Sequence, residues 1–71
     1  MFNKELRSSR WPYCITIQKT NEIYQIYNIE NWVIKNVGGY PERWNELIKG
    51  DTVDFYFKYE SDAVLFALRW P

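Results

Sequence analysis

The stretch from residue 52 to residue 70 is the most apolar part of the chain, and it limits the possible folds more than any other feature. Its first half, residues 52–59, alternates between two sets of side chains, which is typical of a strand with one covered face. The set assigned to the interior is apolar or aromatic: Val53, Phe55, Phe57 and Tyr59. The opposite set is Asp54, Tyr56 and Lys58. The rest of the chain must therefore supply a layer that covers this strand.

A short helix is predicted directly after this strand. Glu60, Ser61 and Asp62 supply capping side chains and negative charge suited to a helix N-terminus. Four residues of the following helix share one side: Ala63, Phe66, Ala67 and Trp70. Much of the remaining surface is also apolar, with Val64, Leu65 and Leu68. One layer of so short a chain cannot cover such a helix fully, so we expect part of it to contact another chain.

The length of 71 residues allows one domain, residues 1–71, with residues 1–10 expected to be a flexible lead-in. A single cysteine excludes an internal disulfide, so the core must come from packing. Four Trp, six Tyr and four Phe supply it, since each aromatic side chain can bury roughly 150–250 Å².

A first strand is predicted over residues 13–18, which are rich in β-branched and aromatic residues. Alternation places Tyr13, Ile15 and Ile17 on the covered face and Cys14 on the other. A nucleophilic cysteine needs a base, usually histidine, and the sequence has no histidine. We therefore interpret Cys14 as structural.

A helix is predicted over residues 22–37, because apolar residues recur at helical spacing and Gly38-Gly39 can end it. Thr20 or Asn21 could cap its first amides. An alternative interpretation makes residues 23–27 a second strand and starts the helix after Asn28.

Residues 42–49 are compatible with two structures. Pro41, Trp44 and Gly50 satisfy the local rules for a short helix. A strand over residues 43–48 would instead make residues 49–51 a hairpin turn and give the sheet a third strand. Because a two-stranded sheet is marginal, we favour the hairpin. The predicted fold is α+β: a small antiparallel or mixed three-stranded sheet packed by two helices, in the order β-α-β-β-α.

The sequence does not predict an enzyme, a metal site or a cofactor. No Cys/His metal pattern is present. Asp51 precedes the last strand and Asp54 lies within it, and Glu42 and Glu46 could lie close together. Paired carboxylates can act as acid and base in a cleft, but on a neutral surface they are usually solvated charges.

Charge is balanced overall, with nine basic and nine acidic residues, but it is unevenly distributed. Residues 1–20 carry an excess of three positive charges, from Lys4, Arg7, Arg10 and Lys19 against Glu5. A basic arm next to an aromatic sheet could bind a single strand of nucleic acid. The RNA-recognition signature is absent, however, and Asp54 lies within the strand that would bind. Nucleic-acid binding is therefore the alternative function.

Protein–protein interaction is the favoured function, because interfaces are enriched in Trp, Tyr and Arg. The predicted interface residues are Trp44, Tyr56, Phe66, Leu68 and Trp70. Self-association is the simplest version, so we expect a homodimer. The chain has no apolar segment that resembles a secretory signal, and its lone cysteine suits a reducing compartment, so the expected location is the cytoplasm.

The end of the chain resembles the closing motif of small tailed-phage proteins, notably those of cyanophages. The motif has the form F-x-F, then D-A-x-x-F-x-L-x-W, and here it runs from Phe55 to Trp70. In that family a Trp-containing helix and a Trp strand precede the motif; Trp32 and Trp44 are similar. A Cys often follows the helix Trp, whereas Val33 stands here. The resemblance covers roughly residues 30–70. It implies an early-expressed host-modifying protein or a small accessory factor that acts in the host cell on a host or phage protein, supports the hairpin, and implies no activity.

Overall fold

The computed structural model of the chain describes residues 11–70. The predicted flexibility of residues 1–10 lies outside them. The elements occur in the order strand, helix, strand, strand, helix: β1 (Tyr13–Gln18), α1 (Gln25–Asn36), β2 (Trp44–Ile48), β3 (Thr52–Phe57) and α2 (Glu60–Arg69). The predicted α+β class and element order are confirmed.

The three strands form one sheet in the order β1-β3-β2, with the apolar strand β3 at its centre. Both outer strands run antiparallel to β3, so Phe55 lies between Ile15 of β1 and Glu46 of β2. The turn between β2 and β3 is closed by the Lys49 amide, which donates to the Thr52 carbonyl at 2.8 Å. The hairpin interpretation of residues 42–51 is therefore correct, and the helical one is wrong.

Both helices lie on one face of the sheet and enclose the core with it. The buried cluster comprises Ile15, Ile29, Val33, Val37, Trp44, Val53, Phe55, Phe57, Ala63 and Phe66. Ile15, Val53, Phe55 and Phe57 of this cluster belong to the face that alternation assigned to the interior. Tyr59, assigned to the same face, lies beyond the end of β3 and is 46% exposed, because the chain turns there into α2. The predicted inner side of α2 is also confirmed, since Ala63 and Phe66 are fully buried and Ala67 and Trp70 pack against the cluster.

Helix α1 begins at Gln25, three residues later than predicted. The preceding loop is held by its own polar side chains. Glu22 Oε1 accepts a hydrogen bond from the Tyr24 amide at 2.8 Å, and Thr20 Oγ1 accepts one from the Glu22 amide at 3.2 Å. These local bonds satisfy the backbone in a non-helical form. The alternative strand over residues 23–27 is wrong, because this segment turns into the helix and leaves Ile23 exposed.

Helix α1 ends where Gly38-Gly39 was predicted to end it. The Gly38 amide donates to the Val33 carbonyl at 3.0 Å, which wraps the last turn. Gly38 and Gly39 both have φ of +68°, a region that other residues rarely adopt. The chain therefore leaves the helix through a left-handed bend and enters β2.

Helix α2 begins at Glu60 and extends to Arg69. As predicted, the chain does not cover it fully: Val64 is 44% exposed, Leu65 43% and Leu68 78%. Within residues 11–70, neither helix has the length and apolar character needed to cross a membrane.

Candidate interaction surface

The fold separates the five predicted interface residues into two groups. Trp44 is 2% exposed, Tyr56 8% and Phe66 0%, whereas Leu68 is 78% exposed and Trp70 is partly buried. The first three side chains are not accessible to a second protein in this fold. Leu68 and Trp70 are the two that a partner could reach.

Aromatic contacts explain why Phe66 and Trp44 are buried. The centroid of the Phe66 ring lies 5.0 Å from that of Phe55 and 5.2 Å from that of Phe57, so Phe66 packs α2 against the central strand. The centroid of the Trp44 ring lies 6.1 Å from that of Phe55 and 4.8 Å from that of Tyr40. The surplus of aromatic residues predicts an interface, but these rings build the core of a chain that has a single cysteine and so no internal disulfide.

Trp70 lies where α2 meets α1. Its ring is perpendicular to that of Trp32, with centroids 6.4 Å apart, and the Arg69 guanidinium lies 4.0 Å from the Trp70 ring centroid. Its indole nitrogen is buried without a hydrogen-bond partner in the described structure. Trp70 thus anchors the end of α2 while the side chain of Arg69 remains at the surface.

The outer stripe of α2 is an exposed row of residues formed by Ser61, Val64, Leu65 and Leu68. Their spacing of three and four residues places them on one side of the helix over two turns. Glu60 and Arg69, both exposed, stand at its two ends. Leu68 was in the predicted interface, whereas Val64 and Leu65 were not, although the same helical spacing could have identified them.

The N-terminus of α2 is fixed to the start of β2 by an ion pair. Nη2 of Arg43 donates to both carboxylate oxygens of Asp62, at 3.0 and 2.8 Å. The Arg43 guanidinium also lies 5.3 Å from the Tyr59 ring centroid. With Phe66 and Trp70 packed on its inner side, α2 presents its outer stripe from a fixed position.

A groove of about 830 Å³ opens between β1, the start of α1 and the end of α2. Its apolar lining consists of Ile15, Ile17, Ile29, Ala67 and Trp70. The Gln25 side chain that also lines it is engaged by the backbone: Nε2 donates to the Gln18 carbonyl at 3.0 Å, and Oε1 accepts from the Thr20 amide at 2.8 Å. Both polar groups of the Gln25 side chain are therefore used to hold the loop between β1 and α1, and we do not assign them to ligand binding.

The sheet face opposite the helices holds a buried polar cluster around Asp54, which is 1% exposed. Thr16 Oγ1 donates to Asp54 Oδ1 at 2.6 Å, and Lys49 Nζ lies 2.9 Å from Oδ2. Asp54 is therefore a paired structural charge and not the solvated carboxylate that we predicted.

Cys14 and Tyr56 lie side by side on this face, in register across β1 and β3. Burial, reinforced by the negative charge of Asp54, raises the pKa of the Cys14 thiol. Burial also raises the pKa of Tyr56 to about 12. A protonated thiol is a poor nucleophile, which supports the interpretation of Cys14 as a structural residue.

The Glu46 carboxyl group lies on the helix-covered face of the sheet and has a raised pKa. Burial, together with the neighbouring Glu30 carboxyl group on α1, raises the pKa of Glu46 to about 8. Its Oε2 atom is buried and lacks a hydrogen-bond partner among the described residues. The sequence suggested Glu42 as the neighbour of Glu46, but the packing of α1 against β2 makes Glu30 the interacting residue.

The aromatic rings of β3 are enclosed. Phe55 and Phe57 face the helices, and Tyr56, on the opposite face, is 8% exposed. Bases that stack on a sheet need accessible rings, so this central strand offers no such platform. Within residues 11–70, no group of three or more His, Cys, Asp or Glu side chains is arranged to hold a metal ion.

The chain was compared with protein families, curated proteins and solved structures. No family model matches it, and no curated protein or solved structure shows significant similarity to it. Its function must therefore be inferred from its own surface.

Proposed function

We propose that the protein is a small, non-enzymatic accessory protein of tailed-phage origin that acts in the host cytoplasm by binding another protein. The outer stripe of α2 is the proposed contact surface. The observation that carries the proposal is the exposure of Val64, Leu65 and Leu68 in one row on an otherwise well-packed helix. The phage origin is supported by the resemblance of the C-terminal motif.

Physical chemistry favours a protein partner for this stripe. Three large aliphatic side chains in one row place apolar surface in water, and burying it would contribute roughly 25 cal/mol for each Å² covered. The Arg43–Asp62 ion pair and the packing of Phe66 hold the helix in place. A surface that is ordered before binding loses little conformational freedom on association.

Nucleic-acid binding is the alternative that an experiment must separate from this proposal. Two observations weigh against it: the rings of β3 are buried, and the outer stripe of α2 is aliphatic, without the aromatic or basic groups that bind bases and phosphates. We therefore favour a protein partner.

Photo-crosslinking tests the proposal. The photoreactive residue p-benzoylphenylalanine replaces Leu68 in the full chain expressed in bacterial cells, and it replaces the exposed Lys35 of α1 in a matched control. We expect a protein adduct from position 68 that is absent from position 35 and is lost when Val64 and Leu65 are changed to Ser. Equal adducts from both positions, adducts with nucleic acid, or no adduct from position 68 would contradict the proposal.

A further inference from the structure

We infer that residues 1–10 of this chain cover the face of the sheet opposite the helices and shield the thiol of Cys14 there. The inference concerns a different surface from the outer stripe of α2 and goes beyond the proposed function. It follows from the burial of side chains on that face, and from the length of the segment that precedes Trp11 and the place where it joins the fold. It departs from the flexible lead-in that the sequence predicts for these residues.

The face opposite the helices is more buried than the helices and strands of residues 11–70 explain. Cys14 and Tyr56 are neighbours on it, in register across β1 and β3, and they are 0% and 8% exposed. Both helices pack on the other face of the sheet. Cys14 also lies in an outer strand, where one edge of the backbone has no neighbouring strand. An uncovered face of an antiparallel sheet is in contact with water, so a further part of the chain must lie over these two residues.

The burial follows one row of side chains across this face. Cys14, Tyr56 and Asn45 form the row, because Tyr56 pairs with Cys14 on one side and with Asn45 on the other. All three are buried or half-buried. In the next row of the same face, the two outer residues, Thr16 and Leu47, are exposed. The inferred cover therefore lies over the row nearer to the start of β1.

Trp11 connects the preceding segment to this row. It lies two residues before β1, which is at one edge of the sheet. It nevertheless lines a cavity of about 410 Å³ together with Asn45 of β2, the strand at the other edge. Trp11 thus reaches across the end of the sheet, and residues 1–10 precede it at the margin of the buried row.

Ten residues are enough to cover the row. Neighbouring strands lie about 4.8 Å apart, so the backbones of the two outer strands are roughly 10 Å apart. A segment of ten residues spans about 15 Å as a helix and about 33 Å when extended, so either conformation is long enough. The segment carries two large apolar residues, Phe2 and Leu6, which suit contact with Cys14 and Tyr56.

Nuclear Overhauser effects (NOEs) in the isotope-labelled full chain test the contact, because they report protons that are close in space. We expect NOEs from the side chains of Cys14 and Tyr56 to Phe2 or Leu6. Leu68 is the control: it is exposed on α2 and should show no NOE to residues 1–10. A mixture of labelled and unlabelled chains separates contacts within one chain from contacts between two chains.

Alkylation of Cys14 by iodoacetamide tests the shielding. The double variant F2S/L6S removes the two apolar side chains of the segment and should speed alkylation of the folded protein about tenfold or more. Lys4→Ser is the matched control, because it changes a polar residue of the same segment, and its rate should stay within about twofold of the original. The rates are measured at urea concentrations well below the unfolding midpoint, where a rate that does not change with urea reports local exposure of Cys14 and not global unfolding.

Each result bears on the inference in one direction. Contacts within one chain, together with a urea-independent acceleration for F2S/L6S and none for Lys4→Ser, would support it. The absence of NOEs between residues 1–10 and the sheet, or equal alkylation rates of all three chains, would overturn it. An acceleration that rises with urea would also overturn it, since Cys14 would then be reached only through unfolding. So would contacts found only between different chains, because a second copy would then be the cover.

Discussion

The ε-ammonium nitrogen of Lys49 lies 2.9 Å from a carboxylate oxygen of Asp54, and the two side chains differ sharply in exposure: 38% for Lys49 and 1% for Asp54. Lys49 is the first residue of the β2–β3 turn, whereas Asp54 is in the middle of the central strand. The ion pair therefore connects the surface to the interior. Removing the charge of Lys49 and removing that of Asp54 should therefore have different effects on the free energy of unfolding.

We predict that Lys49→Met destabilises the protein more than Asp54→Asn. Removing Lys49 leaves a buried carboxylate with Thr16 as its remaining partner and should lower the free energy of unfolding by roughly 3 kcal/mol. Asparagine at position 54 retains the acceptor for Thr16 and leaves a lysine that can reach water, so a loss of about 1 kcal/mol is expected. Urea unfolding followed by Trp fluorescence measures both, with exposed Lys35→Met as the control. Equal losses would show that the burial of Asp54 does not govern this pair.

The raised pKa of Glu46 predicts a pH-dependent stability. The folded protein holds this proton up to about pH 8, whereas the unfolded chain releases it near the ordinary pKa of 4.5. The contribution of the neutral carboxyl group is therefore fully present below pH 4.5 and is lost as the pH rises through 8.

Glu46→Gln removes this titration, so the variant should gain stability relative to the original chain as the pH rises from about 5 to 9. We expect a gain of about 1 kcal/mol, because partial exposure screens the effect. Unfolding curves at several pH values measure it, and the exposed Glu42→Gln should show no such trend. Parallel stability profiles for Glu46→Gln and the original chain would refute the assignment.

Truncation to alanine should destabilise the protein strongly at one position of α2, Phe66, and very little at another, Leu68. Phe66→Ala removes a fully buried ring that contacts Phe55 and Phe57, and it should lower the free energy of unfolding by roughly 3–5 kcal/mol. Leu68→Ala should change it by less than about 0.5 kcal/mol, because Leu68 is at the surface. If Phe66→Ala does not fold, Phe66→Leu provides a milder version of the same comparison. A large loss for Leu68→Ala would mean that this side chain belongs to the core.

Gly39→Ala should destabilise the connection between α1 and β2. Gly39 has a φ of +68°, and an added Cβ would lie 2.9 Å from Cγ of Arg43, so a loss of about 1–2 kcal/mol is expected. Gly50→Ala is the control: an added Cβ there meets no atom within 4 Å, and the change should be within about 0.5 kcal/mol. Thermal unfolding compares the two variants. Similar midpoints would argue that the chain can relax around residue 39.

The sequence predicted those parts of the fold that depend on neighbouring residues. Alternation identified the inner face of β1 and that of β3 as far as Phe57, but not the exposure of Tyr59, and helical spacing identified the inner side of α2. The β2–β3 hairpin required one argument about the whole sheet, since the local rules also allowed a helix. The start of α1 was misplaced, because Glu22 and Thr20 bond to the loop backbone and not to the first turn of the helix.

The candidate site was predicted less completely. The exposure of Leu68 and of other apolar side chains of α2 could be predicted from the sequence. The helix is apolar on nearly all sides, and one sheet can cover only one of them. Trp44, Tyr56 and Phe66 were predicted to lie at an interface, but all three are buried. Composition shows that aromatic rings are in surplus, but it does not show which of them pack together in the core.

By itself, the spacing of residues along the chain determined the inner face of β1 and of β3 up to Phe57 and the excess apolar surface of α2, whereas the order of the elements also needed the argument that a sheet requires a third strand. Tertiary structure alone decided which distant groups became neighbours: Glu30 with Glu46, Arg43 with Asp62, and Thr16 with Asp54. It also decided that Cys14 and Tyr56 are enclosed although they lie on the face opposite the helices. The physical reason is that burial and the interactions between charged groups depend on distances in space, and the packing of the helices on the sheet determines those distances.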